Sequence, residues 1–336
     1  MRAGILLAAL MLFAACATAP KSAPDVSAGY ATLRIQDAAA RPIQLDIWYP
    51  AAGPEQAHSY NFGSGKVAAA APIEPGKHPV IVLSHGSMGA ASNYSWIAEP
   101  LARHGYVVLG VSHFGESPVF GQDTIKPANV SHFGDRTRDI NAGLDFLFTK
   151  SAYAAQVDPA RLGALGHSAG GATVLMLAGV QFLGPDLFAY CGPARATGDK
   201  GCLYPVDPAA SSPAQAPVTS SRPIRALVAI DPAAGPGFTE GSLRSLKTPA
   251  LVIGSADDDF LPFPAHAGRV ASMLGSAELV KLDGGEGHFV YVDRCSLPIN
   301  VMGVQLCSDR PGVDRDAVHA KLVPLIEAFL DKALAK

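Results

Sequence analysis

RLGALGHSAGGATVLMLAG, residues 161–179, decides how the rest of this 336-residue chain is read. Leu162, Ala164 and Leu165 predict a short buried strand, Gly166-His167-Ser168-Ala169-Gly170 a tight turn, and Thr173 onward a small-residue helix running into the core. In a Gly-x-Ser-x-Gly turn the two glycines have no side chain to collide when the serine is thrust out at the apex. Ser168 Oγ is therefore expected to stand clear of the backbone at a helix N-terminus, where unpaired N–H groups favour developing negative charge. The N–H of Ala169 would point where an oxyanion forms. So short a pattern also fits a glycine-rich turn with a helix-capping serine. Its weight as a nucleophile comes from the strand before it and the helix after it.

Composition sets the frame. Hydrophobic residues make up 49% of the chain, enough for one large α/β core, and the net charge of -3 is dispersed. No basic stripe points to nucleic acid and no polybasic segment points to an electrostatic membrane patch, so the expected partner is a small molecule. Residues 1–16, MRAGILLAALMLFAAC, combine Arg2 with an apolar run too short to span a bilayer, which reads as a signal peptide. Its ending, Phe13-Ala14-Ala15-Cys16, resembles a bacterial lipobox, in which the cysteine becomes lipidated; cleavage after Ala17-Thr18-Ala19 is the alternative. Cys16 is the expected lipid anchor and any membrane contact is expected through it alone. Residues 17–29 are a tether.

Export implies an oxidising compartment, so the four later cysteines are expected as disulfides. Three connectivities exist, and locality in sequence favours Cys191-Cys202 with Cys295-Cys307. Neither pair has CxxC spacing or an accompanying histidine cluster, so no metal is expected, and nothing calls for a cofactor.

Taken in order, residues 31–36 and 43–49 alternate apolar and polar side chains and predict an antiparallel hairpin. Residues 50–78, rich in Gly, Pro, Ala and Ser, read as a surface excursion without chemistry. Apolar runs at 79–83, 107–111, 226–230, 250–254 and 277–282 predict buried strands. Helices are expected over 92–104, over 135–150 with Asp135 as cap, and over 316–334, where Pro324 marks a kink or the true start. His113 and Phe114 follow a strand, at the edge where open α/β sheets bind ligands, and are candidate pocket lining. Residues 180–223 break the rhythm with no evident elements of their own, and read either as a lid over the site or as an inert stapled excursion. His288 follows the last long strand in a glycine-rich loop, so Ser168, an aspartate and His288 come in that order, each after a strand.

PIQLDIWYP (42–50), VIVLSHGSMG (80–89), RDINAGLDFL (138–147), GHSAGG (166–171), GSADDDFLP (254–262), GEGHF (285–289) and the Cys295 to Cys307 loop together carry a resemblance. The chain resembles the α/β-hydrolase superfamily and, more narrowly, the secreted dienelactone-hydrolase-like and platelet-activating-factor-acetylhydrolase-like esterases of bacteria. The resemblance implies one domain over 30–334 with the α/β-hydrolase fold: a mostly parallel central sheet, helices on both faces and an inserted lid-like region at 180–223. It implies a small or lipid-like ester substrate and a triad with Ser168 as nucleophile and His288 as base; a phospholipase, acetylhydrolase or peptidase with the same triad is the alternative, and a non-catalytic binding lipoprotein of the same fold is a further one. The loop Ser84-His85-Gly86-Ser87-Met88-Gly89 would supply the second oxyanion donor through the N–H of Ser87, with His85 as loop support. Dienelactone hydrolases use a cysteine nucleophile, so Ser168 argues against that activity.

The acid has more than one candidate. In most α/β-hydrolases it follows the strand that here ends at Asp257, Asp258 and Asp259, four residues before a proline, which selects Asp258 ahead of Pro262 with Asp257 as its neighbour alternative. Platelet-activating-factor acetylhydrolases carry theirs one strand earlier, where this chain has Asp231.

Overall fold

The computed structural model describes residues 26–195, 198–209 and 218–335, so the expected leader, Cys16 and residues 17–25 of the expected tether lie outside the described residues, whereas Ser27 to Gly29, expected as tether, are buried in the first strand. Ten strands form one sheet: β1 (Ser27–Gln36), β2 (Pro42–Ala51), β3 (Gln56–Ser59), β4 (Ser64–Ala69), β5 (His78–Ser84), β6 (Val107–His113), β7 (Val157–His167), β8 (Ala226–Ile230), β9 (Ala250–Ser255) and β10 (Ala277–Leu282). Their order is β10-β9-β8-β7-β5-β6-β2-β1-β4-β3. From β10 to β6 every neighbour is parallel, whereas β2 pairs antiparallel with both β6 and β1.

Parallel strands need covered faces, and the continuous apolar runs provide two. Val80 and Val82 of β5 face one core with Leu227 and Ala229 of β8 and Ala250 and Val252 of β9. Ile81 and Leu83 face the other with Val228, Ile230, Leu251 and Ile253. The first core is closed by α2 (Phe133–Thr149) and α3 (Ala169–Leu177), through Ile140, Leu144, Leu147, Val174 and Leu175. α1 (Ser95–Arg103) and α7 (Arg315–Leu334) close the second, through Ile97, Leu101, Leu322, Ile326 and Phe329.

Helix ends differ from expectation. α2 starts at Phe133, with His132 at the N-cap and no side-chain cap; Asp135 sits inside the first turn, where a carboxylate still favours the helix dipole, and pairs with Arg138. α7 runs unbroken through Pro324 and is capped by Asp314, which accepts from the amides of Asp316 and Ala317.

Two stretches carry more structure than their composition indicates. Residues 50–78 hold β3 and β4, and β4 lies parallel to β1. Within the same stretch, Tyr60 accepts from Trp48 Nε1 at 2.9 Å and donates to Glu99 at 2.9 Å. The excursion is therefore the outer edge of the sheet, pinned by buried hydrogen bonds. The 180–223 region holds α4 (Gly184–Ala194) and a 3-10 turn at Lys200–Leu203, joined by a Cys191–Cys202 disulfide. Cys295 and Cys307 are also paired, around a small hairpin of β11 (Asn300–Val301) and β12 (Val304–Gln305). The helices α5 (Glu240–Ser245) and α6 (Ala267–Met273) complete the chain.

Candidate active site

Ser168 stands between β7 and α3 with φ 56° and ψ -120°, a conformation that costs a non-glycine residue roughly 1–3 kcal/mol. The surroundings hold it there. Its amide donates to the Ile230 carbonyl at 2.9 Å, and its carbonyl accepts from Ala172 and Ala233. A Cβ on Gly166 would lie 2.2 Å from the Gly170 carbonyl oxygen, and one on Gly170 would lie 1.9 Å from that of Ser84. Both glycines are thus required by close backbone approach, and the elbow closes only with them.

β10 delivers His288 to the same edge, at the start of a 3-10 turn over His288–Tyr291. Its Nε2 lies 2.9 Å from Ser168 Oγ and its Nδ1 lies 2.8 Å from Asp258 Oδ2. An ionised carboxylate only accepts, so Nδ1 carries the proton and Nε2 is left to accept from the serine hydroxyl. Asp258 Oδ1 accepts the amides of Phe260 and Leu261 at 2.7 and 2.8 Å. Burial pushes the Asp258 carboxyl up, but the neighbouring His288 and these amides outweigh it and hold the group below the usual aspartate range. Phe260 stacks on the imidazole at 5.2 Å and limits its rotation.

Further residues tie the three loops together. Gly86 N–H donates to Tyr94 Oη at 2.9 Å, Tyr94 Oη donates to His167 Nδ1 at 3.0 Å, and His167 Nε2 donates to the His288 carbonyl at 3.1 Å. This chain needs a neutral His167, and burial followed by the adjacent His288 holds that imidazole well below the usual histidine range. Asp259 accepts the His288 amide and pairs with Arg310, which also donates to the carbonyls of Asp257 and Gly285. Tyr94, His167 and Arg310 escaped the sequence reading.

Ala169 is the first residue of α3, so its N–H has no acceptor within the helix. Ser87 follows β5 and borders the same space as Ser168. His85 is fully buried; its Nδ1 donates to the Gly86 carbonyl at 2.6 Å and its Nε2 accepts the His113 amide at 3.1 Å, which fixes the shape of this loop. Ser168 and His288 open onto a cleft of about 1170 Å³ that reaches Tyr30, His58 and Tyr60 on one side and Phe289 and Met302 on the other.

Residues 55–182 match a family described as PETase, PET hydrolase-like. A cutinase, est2, of Thermobifida alba is 33% identical over 130 residues, which is 38% of this chain and 37% of that protein. A cutinase of Thermobifida fusca (strain YX) is 27% identical over 198 residues, 56% of this chain and 60% of that protein. The bis(hydroxyethyl) terephthalate hydrolase of Streptomyces coelicolor (strain ATCC BAA-471 / A3(2) / M145) is 28% identical over 114 residues, 34% of this chain and 33% of that protein. The chain thus spans about two fifths of the length of the first curated relatives it matches. A ferulic acid esterase structure from Streptomyces cinnamoneus superposes with a TM-score of 0.60 at 20% identity, covering 94% of this chain and 92% of that one. This chain has the α/β-hydrolase fold.

Within this fold the other aspartates take different places. Asp231 accepts the Ser255 amide at 3.0 Å and makes no hydrogen bond to His288; burial and then the adjacent Asp258 push its carboxyl well above the usual range. Asp257 is exposed, and its carbonyl accepts from Arg310. Asp231, Asp258 and His288 bring ligand-type atoms within 4.8 Å of one another, but the facing atoms of Asp258 and His288 are spent on their mutual hydrogen bond.

The pocket-lining expectation for His113 and Phe114 is corrected. His113 is fully buried between Ser84 Oγ at 3.1 Å and Asp139 at 3.0 Å, and Asp139 also pairs with Arg41. Its parity on β6 matches Leu109 and Val111, so it faces α2 rather than the cleft. Phe114 packs on Phe120 and under the Arg41 guanidinium, away from Ser168.

Proposed function

We propose that this chain is a serine carboxylic-ester hydrolase. The observation that carries the reading is the continuous relay from Asp258 Oδ2 through His288 to Ser168 Oγ, with spacings of 2.8 and 2.9 Å, on a strained elbow at the cleft floor. His288 Nε2 takes the hydroxyl proton as Ser168 Oγ attacks the ester carbonyl, and Asp258 stabilises the imidazolium. The N–H groups of Ala169 and Ser87 receive the oxyanion. His288 returns the proton to the departing alkoxide, and water, activated by the same imidazole, releases the acid. Every group this needs belongs to the chain itself. Relatives named as cutinases, a bis(hydroxyethyl) terephthalate hydrolase and a ferulic acid esterase support the ester class. The two disulfides suit an oxidising compartment, and export with lipidation at Cys16 is part of the proposal.

Purified protein is expected to hydrolyse p-nitrophenyl acetate and to be labelled at Ser168 by an organophosphonate. Ser168→Ala should lower turnover by about 10⁶. Undiminished activity in that variant would overturn the mechanism.

A further inference from the structure

A second, smaller cavity of about 40 Å³ opens beside Ser168 and adjoins the cleft, sharing Ser87, Ser168, Tyr204 and Phe260 with it. Ser168 and Ser87 border both spaces, but Ala169 borders the small cavity and not the cleft, and His288 borders the cleft and not the small cavity. That asymmetry assigns the two halves of an ester. The leaving alkoxide must take its proton from His288 Nε2, so it departs on the side the imidazole lines. The acyl carbon keeps its bond to Ser168 Oγ and its oxygen stays at the Ala169 and Ser87 amides, so the acyl tail extends to the side that Ala169 lines and the imidazole does not.

Resting on the ester-hydrolase reading, we propose that the small cavity is the acyl pocket and that the enzyme selects short acyl groups carried on large alcohols. Phe133, Leu187, Cys202, Val206 and Leu261 wall the cavity with apolar side chains, so it suits a hydrocarbon tail. A single water needs about 10–15 Å³ on this measure, so the space admits an acetyl or propionyl tail and little more. The outer wall is fastened. The Cys191–Cys202 disulfide joins α4 to the 3-10 turn, and Asp199 between them is buried and accepts from His266 Nε2 at 2.8 Å, Tyr190 Oη at 2.9 Å and the Gly201 amide at 3.0 Å. Lys200 N–H donates to the Phe260 carbonyl at 2.9 Å, which fixes this wall to the ring that stacks on His288. A longer acyl chain would have to break these ties. The alcohol meets no such limit in the cleft of about 1170 Å³.

In each turnover Ser168 Oγ passes its proton to His288 and bonds to the acyl carbon, and the bond from that carbon to the alkoxy oxygen breaks. The alkoxide leaves down the cleft with the proton from His288. Water entering from the cleft then splits the acyl-enzyme, and the short carboxylic acid is released.

Octyl acetate and methyl nonanoate are isomers that differ in which half is long, and they test the assignment directly. kcat/KM is expected to favour octyl acetate by at least roughly 10-fold, since one methylene too many in a closed pocket is worth roughly 10–200-fold. Equal rates, or preference for methyl nonanoate, would place the acyl tail in the cleft and overturn the proposal. Leu187→Ala and, on a loop where folding is less at risk, Val206→Ala should each raise the hexanoate-to-acetate ratio of p-nitrophenyl esters. Variants that label fully with the organophosphonate yet leave that ratio unmoved would also overturn it. Failure of the wild type on every ester, p-nitrophenyl acetate included, would instead sink the ester-hydrolase reading.

Discussion

Tyr94 Oη accepts from the loop that carries Ser87 and donates to the residue before the nucleophile, so one phenol sets the distance between the two oxyanion donors. Tyr94→Phe leaves the Gly86 amide and His167 Nδ1 without their partner, at a cost of about 1–3 kcal/mol measurable in urea unfolding, with turnover falling more than KM rises. Asp258→Asn keeps the shape at the acid position but favours the wrong histidine tautomer, and turnover should fall by about 10⁴. Asp231→Asn should stay within a few-fold of wild type, because Asp231 bonds Ser255 rather than His288. The reverse ranking of the two variants would move the acid to the earlier strand. The placement of Ser168, Asp258 and His288 at one edge of the sheet was legible because each sits in the turn or loop that follows a strand. Tyr94 and His167 were not, because their bonds join residues 73 and 121 positions apart and no local pattern marks them. His113 misled for a related reason: a strand's end places a residue at the correct edge, while its parity decides which face it takes.

Among the elements, the parallel strands and α1, α2, α3 and α7 follow from apolar runs and helical periodicity, since both faces of the sheet demand them. β3 and β4 were hidden in residues 50–78, where Gly, Ala and Ser blur the alternation and side-chain partners such as Glu99 lie far along the chain. α4 was hidden by the prolines and glycines around it, although Pro185 occupies the first turn, where its missing N–H costs nothing. The disulfide that fastens α4 closes a loop of 11 residues in separation, so replacing Cys191 and Cys202 together by alanine should destabilise the protein by roughly 2–4 kcal/mol. Thermal unfolding of that double variant beside the Cys295→Ala, Cys307→Ala pair checks the comparison. Cys202 of the first pair lines the small cavity and neither cysteine of the second does, so the first double variant alone should also relax the acyl-length profile.

The stability of the whole molecule should carry the imprint of two adjacent buried carboxylates displaced in opposite directions. Asp258 is held below the ordinary aspartate value of about 3.9, so its contribution is fully present above that pH and is lost as pH falls through the lowered value. Asp231 is held well above the ordinary value, chiefly by burial and then by Asp258. Between the ordinary and the raised value the folded state binds a proton that the unfolded chain has released, so stability falls as pH rises across that window. The two slopes have opposite signs and lie on opposite sides of about pH 4. Urea unfolding from acid to neutral pH should therefore show Asp231→Asn flattening the decline above pH 4, with neutral-pH stability equal to or above wild type. Asp258→Asn should flatten the loss on the acid side. A wild-type profile that rises steadily through the upper window, unchanged by Asp231→Asn, would mean that Asp231 is ionised in the fold and that the two carboxylates share the site as charges.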